Sequence, residues 1–134
     1  MLDPHGALIY TMVIVTGAES NLPPAEMAII GDIVNHLPAF RNFDHAKLST
    51  HLDDCARLLG REDGLVATLD TIKQALPANL RETAYAIACD LIASDGEATQ
   101  EELQILELIR ERLQIDRLIA AAIERGARAR FQTV

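Results

Sequence analysis

Residues 80–113 read LRETAYAIACDLIASDGEATQEELQILELIRERL, and residues 7–37 read ALIYTMVIVTGAESNLPPAEMAIIGDIVNHL. Shifted by 76 positions, the earlier stretch falls on the later one, so that Glu19 aligns with Asp95 and Glu26 with Glu102. Each copy contains an apolar helix, a short acidic turn and a second amphipathic helix that opens with a glutamate. The repeat predicts a pseudo-two-fold arrangement with two carboxylate-bearing turns in equivalent places.

The composition favours one helical domain that spans residues 1–134. Apolar residues make up 49 % of the chain and aromatic residues only 4 %. Alanine, leucine and isoleucine dominate, and β-branched residues do not gather into alternating runs. We therefore predict an all-α fold, a compact bundle of about seven helices whose repeat halves are residues 7–37 and 80–113.

Proline, glycine and capping residues divide the chain into these seven helices. We expect the first four at about 7–16, 24–37, 44–59 and 62–76, a fifth after Pro77, a sixth at 101–113 and a seventh from Asp116. In the seventh helix, Leu118, Ile119, Ala122 and Ile123 are expected to face the core. In the loop between the second and third helices, Phe40 and Phe43 are expected to fold back onto the core.

The net charge of −8 argues against broad contact with nucleic acid or with an anionic membrane surface. The basic residues, however, are concentrated toward the end of the chain. This basic tail is either a solvated helix end that complements its dipole or a docking surface for an acidic partner, including the acidic face of a second copy. Six of the twelve lysines and arginines lie there: Arg110, Arg112, Arg117, Arg125, Arg128 and Arg130.

The cysteines and the first residues bear on location. Cys55 and Cys89 lie within predicted helices and form no CxxC pair, as expected of a reduced protein. The opening MLDPHGALIYTMVIV lacks a basic segment, and its apolar run is too short to span a membrane. We expect a cytoplasmic protein without direct membrane insertion.

The second acidic turn carries more charge than helix capping requires. Thr99 and Glu102 have the spacing of a capping box, and Asp95-Gly96 fits a tight turn with positive φ at the glycine. Glu97, Glu101 and the mid-helix Asp90 are left as surplus negative charge. An EF-hand is excluded, because its first and third ligand positions would be Leu91 and Ala93.

A different oxygen-ligand site for calcium, magnesium or manganese remains open in the same segment. The first turn is a poorer candidate, since Asn21 stands where the second copy has Glu97. The alternative is that both turns serve only as helix caps. The candidate metal ligands are Asp95, Glu97, Glu102 and Asp90 in the second copy, and Glu19 and Glu26 in the first.

Familiar catalytic patterns are missing from the chain: it contains no Gly-rich phosphate loop, no HExxH and no GxSxG. His51 and Cys55 form an i, i+4 pair, interpreted as a surface histidine near a core cysteine. We expect no catalytic residues and no enzymatic activity.

The paired motif resembles the TerB-like family, the helical tellurite-resistance domain. The resemblance rests on ASDGEATQEEL after RETAYAIACDLI, on ALIYTMVIV and GDIVNHLPAFRNFD, and on the tail DRLIAAAIERGARAR. It implies a helical bundle of the bacterial cytoplasm that takes part in tellurite and chemical-stress responses. Such a module binds divalent cations through acidic residues, here Asp95, Glu97, Glu102, Glu19 and Glu26, and associates with protein partners or itself. The chain departs from the family pattern at Glu19-Ser20, where Asp-Gly is expected.

Overall fold

A computed structural model describes residues 1–16, 24–94 and 96–134, and within them the chain forms helices and no strand. The predicted all-α fold is confirmed. Three short 3-10 helices, Pro38–Phe40, His45–Lys47 and Ala78–Leu80, lie in the connections. The seven α-helices are α1 Pro4–Val15, α2 Pro24–His36, α3 Leu48–Leu59, α4 Gly64–Ala75, α5 Arg81–Ser94, α6 Gln100–Arg112 and α7 Arg117–Arg130.

Helix α1 is the centre of the bundle. The Asp3 carboxylate caps it by accepting a hydrogen bond from the Gly6 N–H at 2.7 Å, and Pro4 occupies the first turn. Every residue from Gly6 to Val15 is buried, because α3, α4 and α5 all pack against this helix. A helix that is apolar on all sides belongs in such a central position.

The loop after α2 closes one side of the core with aromatic rings. Phe40 and Phe43 are buried, as predicted, and their ring centroids lie 5.6 Å apart. His5 stacks on Phe40 at 5.7 Å, and its Nε2 lies 3.1 Å from the carbonyl oxygen of Ala39. These contacts fix the loop to the start of α1.

A close approach of backbones joins α3 to α4. The α-helix begins at Gly64 and not at residue 62, where the sequence predicts it. A Cβ atom on Gly64 would lie only 2.3 Å from the carbonyl oxygen of Leu59, so this position requires glycine. The tight join brings the end of α3 and the start of α4 to the same end of the bundle.

Helix α7 packs against α5 through small and polar residues. Ala120 and Ala127 are buried, and the Tyr85 hydroxyl donates to the Glu124 carboxylate at 2.6 Å. Burial and this hydrogen bond raise the pKa of Tyr85. Small residues allow the two helices to approach closely, and the hydrogen bond sets the rotation of α7.

The predicted core face of α7 is therefore wrong in most of its members. Leu118 is 81 % exposed and Ile119 40 % exposed. Ala122 is exposed as well, and only Ile123 is half-buried. The helix turns toward α5 the face that carries Ala120 and Ala127, because a leucine there would hold the two backbones apart.

The second helices of the two repeat halves keep the register of the repeat. Shifting α2, Pro24–His36, by the 76-residue offset gives the bounds of α6, Gln100–Arg112. The first helices, α1 and α5, overlap at the same offset but differ at both ends. The pseudo-two-fold symmetry of the whole bundle stays a prediction. No helix in the described ranges combines the length and apolar character needed to cross a membrane.

Candidate functional site

A cavity of about 730 Å³ opens at one end of the bundle. The N-terminal ends of α2, α4 and α6 and the C-terminal ends of α1, α3 and α5 meet there. Its walls combine aliphatic and polar residues, and its volume lies in the range of small-ligand pockets. The described apolar lining consists of Ile14, Val15, Ile29, Ala56, Leu59, Leu65, Leu91, Ile105 and Leu108.

Carboxylates from both repeat halves line this cavity. Glu26 enters from the first turn of α2, and Glu101 and Glu102 enter from the first turn of α6. Every charged side chain among the described lining residues is a carboxylate. Helix N-termini carry partial positive charge, which offsets part of the repulsion among these groups.

The predicted capping box at the start of α6 is confirmed. The Glu102 N–H donates to the Thr99 hydroxyl at 3.1 Å, and the Thr99 N–H donates to the Glu102 carboxylate at 2.9 Å. Gly96 has φ of +102°, as the predicted turn requires. One oxygen of Glu102 therefore serves the helix, and the side chain is held at the cavity by that bond.

The other predicted ligands of the acidic turns lie in different surroundings. Glu97 is exposed, does not line the cavity, and makes no hydrogen bond or ion pair with any described residue. Glu19 and Asp95 lie outside the described residues. The structure thus brings Glu26 and Glu102 to one cavity and leaves Glu97 at the surface.

Asp90 has a partner on α7. Its Oδ1 accepts a hydrogen bond from Nη2 of Arg130 at 2.5 Å, at the contact between α5 and α7. This ion pair accounts for an aspartate within the apolar run AIACDLIA of α5. The sequence offered no local signal for it, since the two residues are 40 positions apart.

Across residues 1–16, 24–94 and 96–134, no three His, Cys, Asp or Glu side chains are gathered closely enough to hold a metal ion. Glu19 and Asp95 lie outside these ranges, so a cation site built from the predicted ligands would combine Glu26 and Glu102 with one of them or with backbone oxygens.

The histidine–cysteine pair on α3 is buried more deeply than predicted. Cys55 is buried, as expected, but the His51 side chain is only 14 % exposed, so the prediction of a surface histidine is wrong. Its ring lies against Tyr10 and Phe43, and its Nε2 is 4.0 Å from the Asp3 carboxylate. The N-terminal residues and the Phe40–Phe43 loop cover it, which the i, i+4 spacing alone did not indicate.

The two thiols have little nucleophilic character in this environment. Burial raises the pKa of Cys55 to about 12 and that of Cys89 to about 12. Because the thiolate is the form that attacks electrophiles and binds metals, both side chains act as small apolar core residues at neutral pH.

Comparison of the chain with protein-family models, curated proteins and solved structures found no match. The similarity to the TerB-like family therefore rests on the quoted sequence motifs.

Proposed function

We propose that this chain is a non-catalytic, TerB-like stress-response domain that binds a divalent cation through its acidic turns and acts through protein contacts. The observation that carries the proposal is the shared cavity, which is lined by Glu26 of the first repeat half and by Glu101 and Glu102 of the second. The sequence predicts two separate acidic turns, and the helix starts that follow them, those of α2 and α6, line one cavity.

The chemistry of the cavity rim favours a hard cation. Calcium, magnesium and manganese prefer carboxylate and carbonyl oxygens, and the rim carries carboxylates without any described basic side chain. The C-terminal ends of α1 and α5, where helix carbonyl groups carry partial negative charge, also lie at this end of the bundle. Asp95 follows directly on α5, and we propose that it completes the ligand set with Glu26 and Glu102.

Titration with calcium, magnesium and manganese, followed by calorimetry and by NMR, tests the cation site. Wild type is expected to bind weakly, and Asp95→Asn combined with Glu26→Gln is expected to abolish binding. Glu82→Gln is the matched control, since it removes an exposed glutamate from the first turn of α5, away from the cavity. Equal responses from the wild type and the double variant would remove the cation site.

A second candidate function has its own supporting observation. The Thr99–Glu102 capping box explains Glu102 without a ligand, as expected of a structural interaction module whose turns only end helices. This module predicts a melting temperature that divalent cations do not change. The cation site predicts a rise in melting temperature with cation concentration, because ligand binding to the folded state stabilises it.

A further inference from the structure

We infer that the cavity receives the outer face of α7 from a second copy of the chain, in a head-to-tail contact. The outer face of α7 consists of Leu118, Ala121, Ala122, Arg125 and Arg128, all of them exposed. The inference rests on the part of the proposed function in which the domain acts through protein contacts, and it identifies the partner as a second copy of the chain. The contact requires no cation.

The outer face of α7 combines apolar and basic groups. Leu118 is 81 % exposed, and the next residue, Ile119, is also exposed. Exposed apolar side chains beside arginine, a residue enriched at protein interfaces, suit a contact with another protein. Arg125 and Arg128 make no ion pair with any described residue, whereas Arg130 pairs with Asp90 and Arg117 lies 3.9 Å from Glu107.

The cavity has the complementary character. Aliphatic side chains form part of its walls and all its described charged groups are carboxylates, so it suits an apolar side chain accompanied by a cationic one. Helix α7 carries four arginines and one glutamate in a chain whose net charge is −8. Because opposite charges steer association, an α7 from another molecule is attracted to the acidic end of the bundle.

The two surfaces do not meet within one molecule. Helix α7 packs on α5 through Ala120 and Ala127, which lie on the face opposite Leu118, and none of the described cavity residues comes from α7. The contact must therefore join two copies. Since it pairs two different surfaces, it is heterologous and leaves one free surface of each kind at the ends of every assembly.

Sedimentation across a range of protein concentrations, with a chelator present, tests the contact. We expect the average mass of wild type to rise with concentration beyond that of a dimer and to fall at high salt, which screens the charges. Leu118→Asp on α7 and Glu101→Arg at the cavity should each weaken self-association by at least about tenfold, the scale of one lost buried contact.

Mixing the two variants distinguishes this geometry from a symmetric one. Leu118→Asp keeps an intact cavity and Glu101→Arg keeps an intact α7, so an equimolar mixture should form a one-to-one complex that grows no further. Val66→Asp and Glu82→Arg are matched controls at exposed positions outside both surfaces, and they should associate as wild type does. Thermal melting confirms that each variant is folded.

A wild type that stays monomeric at every concentration would overturn the inference, as would unchanged association of Leu118→Asp or a mixture that forms no complex. Cation titration of the Leu118→Asp protein separates the two proposals. If the Leu118→Asp protein binds the cation while wild type remains monomeric, the self-association inference fails and the proposed cation site stands. If wild type associates as expected but no cation binds, the self-association inference stands and the cation site fails.

Discussion

The two helix–turn–helix units, α1 with α2 and α5 with α6, share a register but differ in what covers them. Position 14 of the first unit corresponds to position 90 of the second. Ile14 is buried and lines the cavity, whereas Asp90 pairs with Arg130 of α7. The same place in a repeated pattern thus holds a core residue in one copy and half of an ion pair in the other.

Their neighbours explain the difference. Helix α1 is packed by α3, α4 and α5, so each of its faces must be apolar. Helix α5 meets α7 across a contact that includes polar pairs: the buried Tyr85 donates to Glu124, and the partly exposed Asp90 accepts from Arg130. A duplicated sequence pattern determines a local motif, while the helices added around each copy decide which of its positions become core.

The largest expected effect is in α1. Leu8→Ala should lower the free energy of unfolding by roughly 2–5 kcal/mol, because Leu8 is fully buried and the remaining side chains collapse only partly into the space. Leu103→Ala on α6 is the matched control, since Leu103 is 49 % exposed and should cost less than about 0.5 kcal/mol. Urea unfolding measures both, and similar losses would contradict the central position of α1.

Alkaline pH should destabilise the protein through its two buried thiols, Cys55 on α3 and Cys89 on α5. The pKa of Cys55 and that of Cys89 rise from 9.0 to about 12 on burial. Between these values the unfolded chain releases protons that the folded chain keeps, so stability falls as pH rises, by on the order of 1 kcal/mol per thiol at one pH unit above the ordinary value.

Urea unfolding at several pH values from 8 upward measures this slope. Cys55→Ala with Cys89→Ala should reduce it without removing it, because the pKa of Tyr85 and that of Tyr10 are raised as well. A slope that is the same in wild type and double variant would show that the thiols ionise equally in both states.

The starts of α6 and α2 differ in their first residues: α6 begins with the Thr99–Glu102 capping box, and α2 begins with Pro24. Thr99→Ala should cost about 1 kcal/mol, because it removes the acceptor of the Glu102 N–H. Glu102→Gln should cost less, since glutamine still accepts from the Thr99 N–H. Thermal unfolding compares the two, and a larger loss for Glu102→Gln would point to a role of its charge beyond capping.

The smallest effect is expected for the ion pair that separates position 90 from position 14. A double-mutant cycle with Asp90→Asn and Arg130→Gln should give a coupling energy of about 0.2–1 kcal/mol, because both side chains are partly exposed and water screens them. The coupling should shrink at high salt. Loss of cation binding in Asp90→Asn alone would instead make Asp90 a ligand and contradict its assignment to α7.

Local signals predicted much of this fold and part of the site. The seven helices, the caps at Thr99 and Asp116 and the glycine turn at Gly96 follow from residues within a few positions of one another. The third helix is an exception, because Asp44 caps the 3-10 helix His45–Lys47 and α3 itself begins only at Leu48. Such signals are readable in sequence because the groups that satisfy each other are chain neighbours.

Contacts between distant segments decided the rest. Leu118 and Ala120 are both plausible core residues in α7, and only the close approach of α5 selects the alanine. Asp90 looked like surplus charge until Arg130 was placed beside it, and Glu26 joined the second acidic turn only through the packing of the helix ends around one cavity. The sequence by itself determined where helices begin, end and carry charge. Tertiary structure determined which faces are covered, because burial depends on neighbours that the chain brings from many residues away.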